Sequence, residues 1–273
     1  AAHFRDSRMI RLVSRPRAVL LALLCALALM PALAQAQVTD LNAAINKAGR
    51  ERMLSQRMAK AYLQLGQNVD MTRSRRVLDA SVALFDRQLV ELKNYAPNAD
   101  TRATSLALEK AWIAYKDVLI GMAPSQERAP QVLQLSDEVL ALANTLTTQF
   151  EALSGTPAGR LVNLAGRQRM LSQRMAKFYQ ALHWNLPAGR MREDLALARK
   201  EFSAAHAELE AAPRNTDKLR GDLQLTSQQW FFFQDALDQK EQDAMTRATN
   251  VASTSERILE MMEEVVSGYE AQR

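Results

Sequence analysis

Ile45-Asn46-Lys47-Ala48-Gly49-Arg50-Glu51-Arg52-Met53-Leu54-Ser55-Gln56-Arg57-Met58-Ala59-Lys60-Ala61-Tyr62 returns later in the chain as Val162-Asn163-Leu164-Ala165-Gly166-Arg167-Gln168-Arg169-Met170-Leu171-Ser172-Gln173-Arg174-Met175-Ala176-Lys177-Phe178-Tyr179. All but four aligned positions are identical. Self-similarity of this length marks a tandem duplication, and a duplication constrains the fold before any element is assigned.

Each copy is rich in Ala, Leu, Met, Arg, Lys and Gln and holds no proline, so it reads as helix. At about 100° per residue, Gly49 and Gln56 share one line. Arg52 and Met53 straddle that line, and Asn46 and Lys60 lie close to it. Leu54, Met58, Ala61 and Leu65 gather on the opposite side as an ordinary core stripe. The other seam is odd: a glycine, an amide and several cations. Glycine inside a helix costs about 1 kcal/mol against alanine, so something has to approach the backbone closely. If the two copies pack together, Arg52 and Arg169 face each other across a pseudo-two-fold axis. Two buried guanidinium groups need a counter-charge. A small oxyanion supplies one, because the planar fork of arginine suits it. The plainer alternative is a solvated face, or pairing with glutamates of neighbouring helices.

The pattern Asn-x-Ala-Gly-x-x-Arg-Met-x-Ser-x-Arg, at residues 46–57 and 163–174, resembles the first helix of the periplasmic sensor domain of nitrate/nitrite sensor kinases. The closer form Ala-Gly-Arg-x-Arg-Met-Leu-Ser-Gln-Arg-Met resembles the PilJ-type domain at the N-terminus of type IV pilus chemotaxis transducers. In the nitrate sensors this helix pairs with its dimer mate and holds the anion through one arginine from each subunit. The resemblance implies that Arg52 and Arg169 play that part here, with Gly49 and Gly166 making room. Arg57, Arg174, Asn46 and Asn163 are implied as supporting residues. The implied ligand is nitrate or nitrite.

The chain opens with five arginines against one aspartate through Arg17, followed by an apolar run over Ala18–Ala34 that ends in Ala-x-Ala. That order is expected of a cleaved signal peptide over 1–36, and hence of a periplasmic protein. The apolar run is short for a full span of about 20 residues and carries Pro31, so an uncleaved anchor is the lesser expectation. The single cysteine, Cys25, falls in that run, so no disulfide or thiol chemistry is expected beyond it. The formal charge of +5 is mostly the leader's, which leaves no basic surplus to suggest nucleic acid.

Beyond the leader the periodicity is helical throughout. Helices are expected near 38–67, 73–95, 101–122, 127–153, 159–185, 189–211, 216–238 and 241–271, with Gly and Pro between them. Phe85 matches Phe202, Trp112 matches Trp230 and Glu151 matches Glu270 at a nearly constant offset. The fold class is therefore all-α: two tandem up-and-down four-helix bundles, 37–154 and 155–273. Trp112, Tyr115, Trp230 and Phe231-Phe232-Phe233 read as core packing. His183 and His206 are too sparse for a metal set. No nucleophile–base pair or phosphate loop stands out, so no cofactor and no enzymatic activity are expected. Read to Arg273, the sequence holds no second apolar span and no output domain. The expectation is an exported sensor-type protein that binds a small oxyanion between its motif helices and either passes a ligand-dependent state to a membrane partner or only sequesters the ligand. The other reading is a helical interaction module in which the motif itself docks to a pilus, chemotaxis or sensor-kinase component.

Overall fold

Capping residues and proline set the helix limits. In the computed structural model, which describes residues 38–272, eight helices follow one another. They are α1 Leu41–Gly66, α2 Met71–Tyr95, α3 Ala99–Ile120 and α4 Ala129–Ser154, then α5 Pro157–His183, α6 Met191–Glu210, α7 Asp217–Asp238 and α8 Ala244–Glu270. Side chains of Asp40, Asp70, Asn98, Thr156, Thr216 and Asp243 each accept a backbone N–H in the first turn of the helix that follows. Asn98 and Thr101 do so reciprocally as a capping box. Gly155, at φ 58°, closes α4 in the left-handed region, and Pro157 opens α5 two residues later. The fold is all-α among the described residues, and the expected helices agree with the observed ones to within three residues. The leader expected over 1–36 lies outside the described residues.

The two repeats pack alike. In each, the motif helix contacts the second and fourth helices of its own repeat, and the third helix lies outside against the fourth. The repeats then join through their motif helices, α1 against α5. The matched aromatics do the same work in both. Phe85 stacks on Trp112 at 4.1 Å and Phe202 on Trp230 at 4.3 Å. One continuous apolar core runs through all eight helices. Residues 38–272 thus behave as one compact unit.

Phe231 and Phe232 depart from the sequence expectation. Only Phe233 of the triplet is buried, while Phe231 and Phe232 are 67% and 52% exposed. Successive helical residues diverge by about 100°, so a triplet cannot share one buried face.

Candidate functional site

The register of α1 on α5 follows from their side-chain bonds. Gly49 and Gly166 face the same two guanidinium groups, Lys60 Nζ donates to Gln173 Oε1 at 2.7 Å, and Gln67 Nε2 donates to the Gln180 carbonyl at 3.0 Å. Contacts advance together along both chains, so the motif helices run parallel, related by a pseudo-two-fold axis along their length. Both are buried almost all round: the polar seam as well as the apolar stripe is interior.

Arg52 and Arg169 are the largest fully buried side chains. They meet at the glycines. A Cβ on Gly49 would stand 3.2 Å from Arg52 Nη2 and 3.7 Å from Arg169 Nη2. A Cβ on Gly166 would stand 3.3 Å from Arg169 Nη2 and 3.5 Å from Arg52 Nη2. The absent side chains give both guanidinium groups their place, which is why the helix accepts glycine there.

Each arginine is gripped by the other repeat. Arg52 Nη2 donates to Asn163 Oδ1 at 2.7 Å and to the Asn163 carbonyl at 3.3 Å. Arg169 Nη2 donates to Asn46 Oδ1 at 2.8 Å and to the Asn46 carbonyl at 3.2 Å. The asparagines are held in turn. Asn46 Nδ2 donates to Glu270, and Asn163 Nδ2 donates to Glu151. The symmetry ends at Nη1: Arg169 donates to Glu263 Oε2 at 2.7 Å, whereas Arg52 donates to Asn144 Oδ1 at 3.0 Å. Glu263 also takes Arg50. The Nε atoms of both central arginines are buried without an acceptor.

The electrostatics follow this geometry. Burial, reinforced by the charge of Arg169, brings Arg52 down to about 9. Burial also lowers Arg169, against the pull of Glu263. Glu263 would be raised by its own burial, but Arg169 and Arg50 hold it at about 2. A slide of one helix past the other would strip acceptors from two buried cations. Each unmet group costs about 1–3 kcal/mol or more, so the cross-bracing fixes register.

A second polar layer lies farther along the pair. Lys60 Nζ donates to Glu256 and to Ser255 Oγ of α8. Lys177 Nζ donates to Asp137 Oδ1 at 2.8 Å and Ser136 Oγ at 3.2 Å in α4. Burial lowers Lys60 to about 8 despite Glu256. Here too each motif helix reaches the fourth helix of the opposite repeat.

Six of the eight residues expected at the site therefore converge: Arg52, Arg169, Gly49, Gly166, Asn46 and Asn163. Arg57 and Arg174 do not. Arg57 pairs with Glu256 and reaches Ser81, and the Arg174 guanidinium lies 5.3 Å from the Phe178 ring centre. Sequence reading missed Asn144, Glu263 and the two buried lysines. The matched pair Glu151 and Glu270 was the available signal, since both turn out to hold the motif asparagines.

The type IV pili methyl-accepting chemotaxis transducer N-terminal domain (PilJ) matches residues 33–153 and again 154–264. The chain belongs to this family. It carries two adjacent copies of the domain. No curated protein and no solved structure matches the chain. No helix among the described residues is long and apolar enough to cross a membrane.

Proposed function

We propose that this PilJ-family protein is a periplasmic interaction module that docks to a membrane-associated signalling component of the pilus or chemotaxis type. The observation that carries the reading is the internal pairing of the two domain copies. The motif helices spend their polar seam on each other, so the acceptors around Arg52 and Arg169 come from the chain itself. On this reading the motif is an interlock, neither the oxyanion site that is the leading expectation from sequence nor the docking face of the alternative. Contact with a partner falls to the outer helices. On α3 an unusually apolar outward row, Leu106, Ile113 and Ile120, is more than half exposed at seven-residue spacing. A photo-crosslinking residue at position 113, introduced in cells, tests this. An adduct with one membrane transducer, lost in Leu106→Asp, supports docking through α3. Labelling spread evenly over unrelated proteins contradicts it.

Oxyanion binding between Arg52 and Arg169 is the second reading. It is favoured by one feature: of the two buried guanidinium groups only Arg169 meets a carboxylate, Glu263, while Arg52 meets the Asn144 amide in its place. Calorimetric titration with nitrate and nitrite separates the two readings.

A further inference from the structure

Repeat 2 holds a groove whose lining differs from its counterpart in repeat 1. It lies between α7 and α8, has a volume of about 260 Å³, and is lined by Gln229, Phe232, Asp235, Asn250, Thr254 and Arg257 among others. The pseudo-symmetric positions in repeat 1, set by Trp112 against Trp230 and Ser136 against Ser255, are Ala111 for Gln229 and Ala114 for Phe232. Leu135 stands for Thr254 and Glu138 for Arg257, while Asp117 matches Asp235. The first repeat thus has small or apolar residues, and a second acid, where the second has an amide, an aromatic ring, a hydroxyl and a cation.

Three features of the lining point to one ligand chemistry. Arg257 and Asp235 are exposed, share the groove and pair neither with each other nor with any other described residue. Opposite charges that share a groove yet stay apart can each take a group of opposite sign from one molecule. Gln229, a residue of the groove wall, has its Oε1 buried without a donor behind that wall. The Phe232 ring, about half exposed, gives the apolar surface.

We propose that this groove binds a free α-amino acid with an apolar side chain. The ligand carboxylate pairs with Arg257, its ammonium donates to Asp235, and its side chain covers Phe232. The site is separate from the arginine interlock and independent of docking through α3.

Calorimetric titration of the purified chain with L-leucine, L-methionine and L-phenylalanine tests the assignment, with leucinamide and N-acetyl-leucine as controls. Saturable binding of at least one amino acid is expected at one per chain, weakened at least tenfold by Arg257→Gln and by either blocked ligand. Arg257 is exposed, so the variant's melting temperature should stay unchanged, which keeps a lost signal readable. Glu138→Arg in repeat 1 should leave binding as it was. No saturable binding of any of the three at millimolar concentration overturns the proposal. So does binding that survives Arg257→Gln or accepts leucinamide equally well.

Discussion

Asn144 and Glu263 stand at equivalent places in the two repeats, and each accepts Nη1 of its own repeat's buried arginine, at 3.0 Å from Arg52 and 2.7 Å from Arg169. The amide answers one cation with a dipole; the carboxylate answers the other with a charge. Removing the carboxylate should therefore cost more than removing the amide. Glu263→Gln leaves Arg169 and Arg50 without their anion, and a loss of about 2–3 kcal/mol is expected for a partly exposed member of such a pair. Asn144→Asp supplies the missing charge to Arg52 and should stabilise, by about 0.5–1 kcal/mol given its exposure. Denaturant unfolding of both variants checks this; no loss in Glu263→Gln, or no gain in Asn144→Asp, would mean that the charge asymmetry has no energetic weight.

The same carboxylate gives a pH signature. Glu263 and Glu256 lie at about 2 in the fold against an ordinary value of 4.5. A depressed acid stabilises the fold above its unfolded value and loses that contribution as protons are taken up. Wild-type stability should thus fall between about pH 5 and 2. Glu263→Gln should show a shallower fall over that window in urea titrations at stepped pH. An identical profile would exclude Glu263 as a source of acid sensitivity.

Glu51 presents the opposite case. Its carboxyl is fully buried, neither oxygen has a partner, and burial pushes its pKa well up. The repeat supplies its own neutral comparison, since Gln168 occupies the matching position and is also buried. A raised acid penalises the fold once pH passes its unfolded value near 4.5. Glu51→Gln should therefore be neutral at pH 4 and stabilising by at least about 1 kcal/mol at pH 8. A gain of the same size at both values would refute the ionisation account.

Glycine substitutions should separate close approach from helix propensity. Gly221, inside α7, has nothing within 4 Å of a built Cβ. Gly221→Ala should stabilise by about 0.5–1 kcal/mol. Gly49 and Gly166 have guanidinium groups at 3.2 and 3.3 Å. Gly49→Val should instead destabilise by about 2–3 kcal/mol, because two cations and their acceptors must shift together. Thermal melts of the pair decide; stabilisation at both positions would mean that the arginines do not need the space.

How much of this was legible in sequence varies by level. The repeat located every helix among the described residues and matched Phe85 to Phe202 and Trp112 to Trp230; that each Phe stacks on the Trp of its own repeat is seen only in the fold. The Gly-x-x-Arg spacing placed Arg52 and Arg169 against each other. The partners were hidden for a physical reason. Asn144 and Glu263 lie on other helices, and no local periodicity marks a side chain that reaches across a bundle. The helical wheel places Lys60 near the polar seam, but its burial, and that of Lys177, is not foreseen because a lysine head is seldom buried; here each is buried and pairs with an acid of the opposite repeat. Arg57 and Arg174 carried the motif spelling but point to different neighbours, because the positions five residues beyond Arg52 and Arg169 turn away from the helix contact.

The most direct test of the interlock is calorimetric titration of the chain with nitrate, nitrite and chloride, beside Arg52→Ala/Arg169→Ala. If the acceptors that Asn46, Asn163, Asn144 and Glu263 give the Nη atoms are enough to hold the two arginines, no anion binds saturably at millimolar concentration and the double variant loses stability. One nitrate or nitrite bound per chain, abolished in the double variant and not mimicked by chloride, would contradict the account and make the helix contact a ligand site.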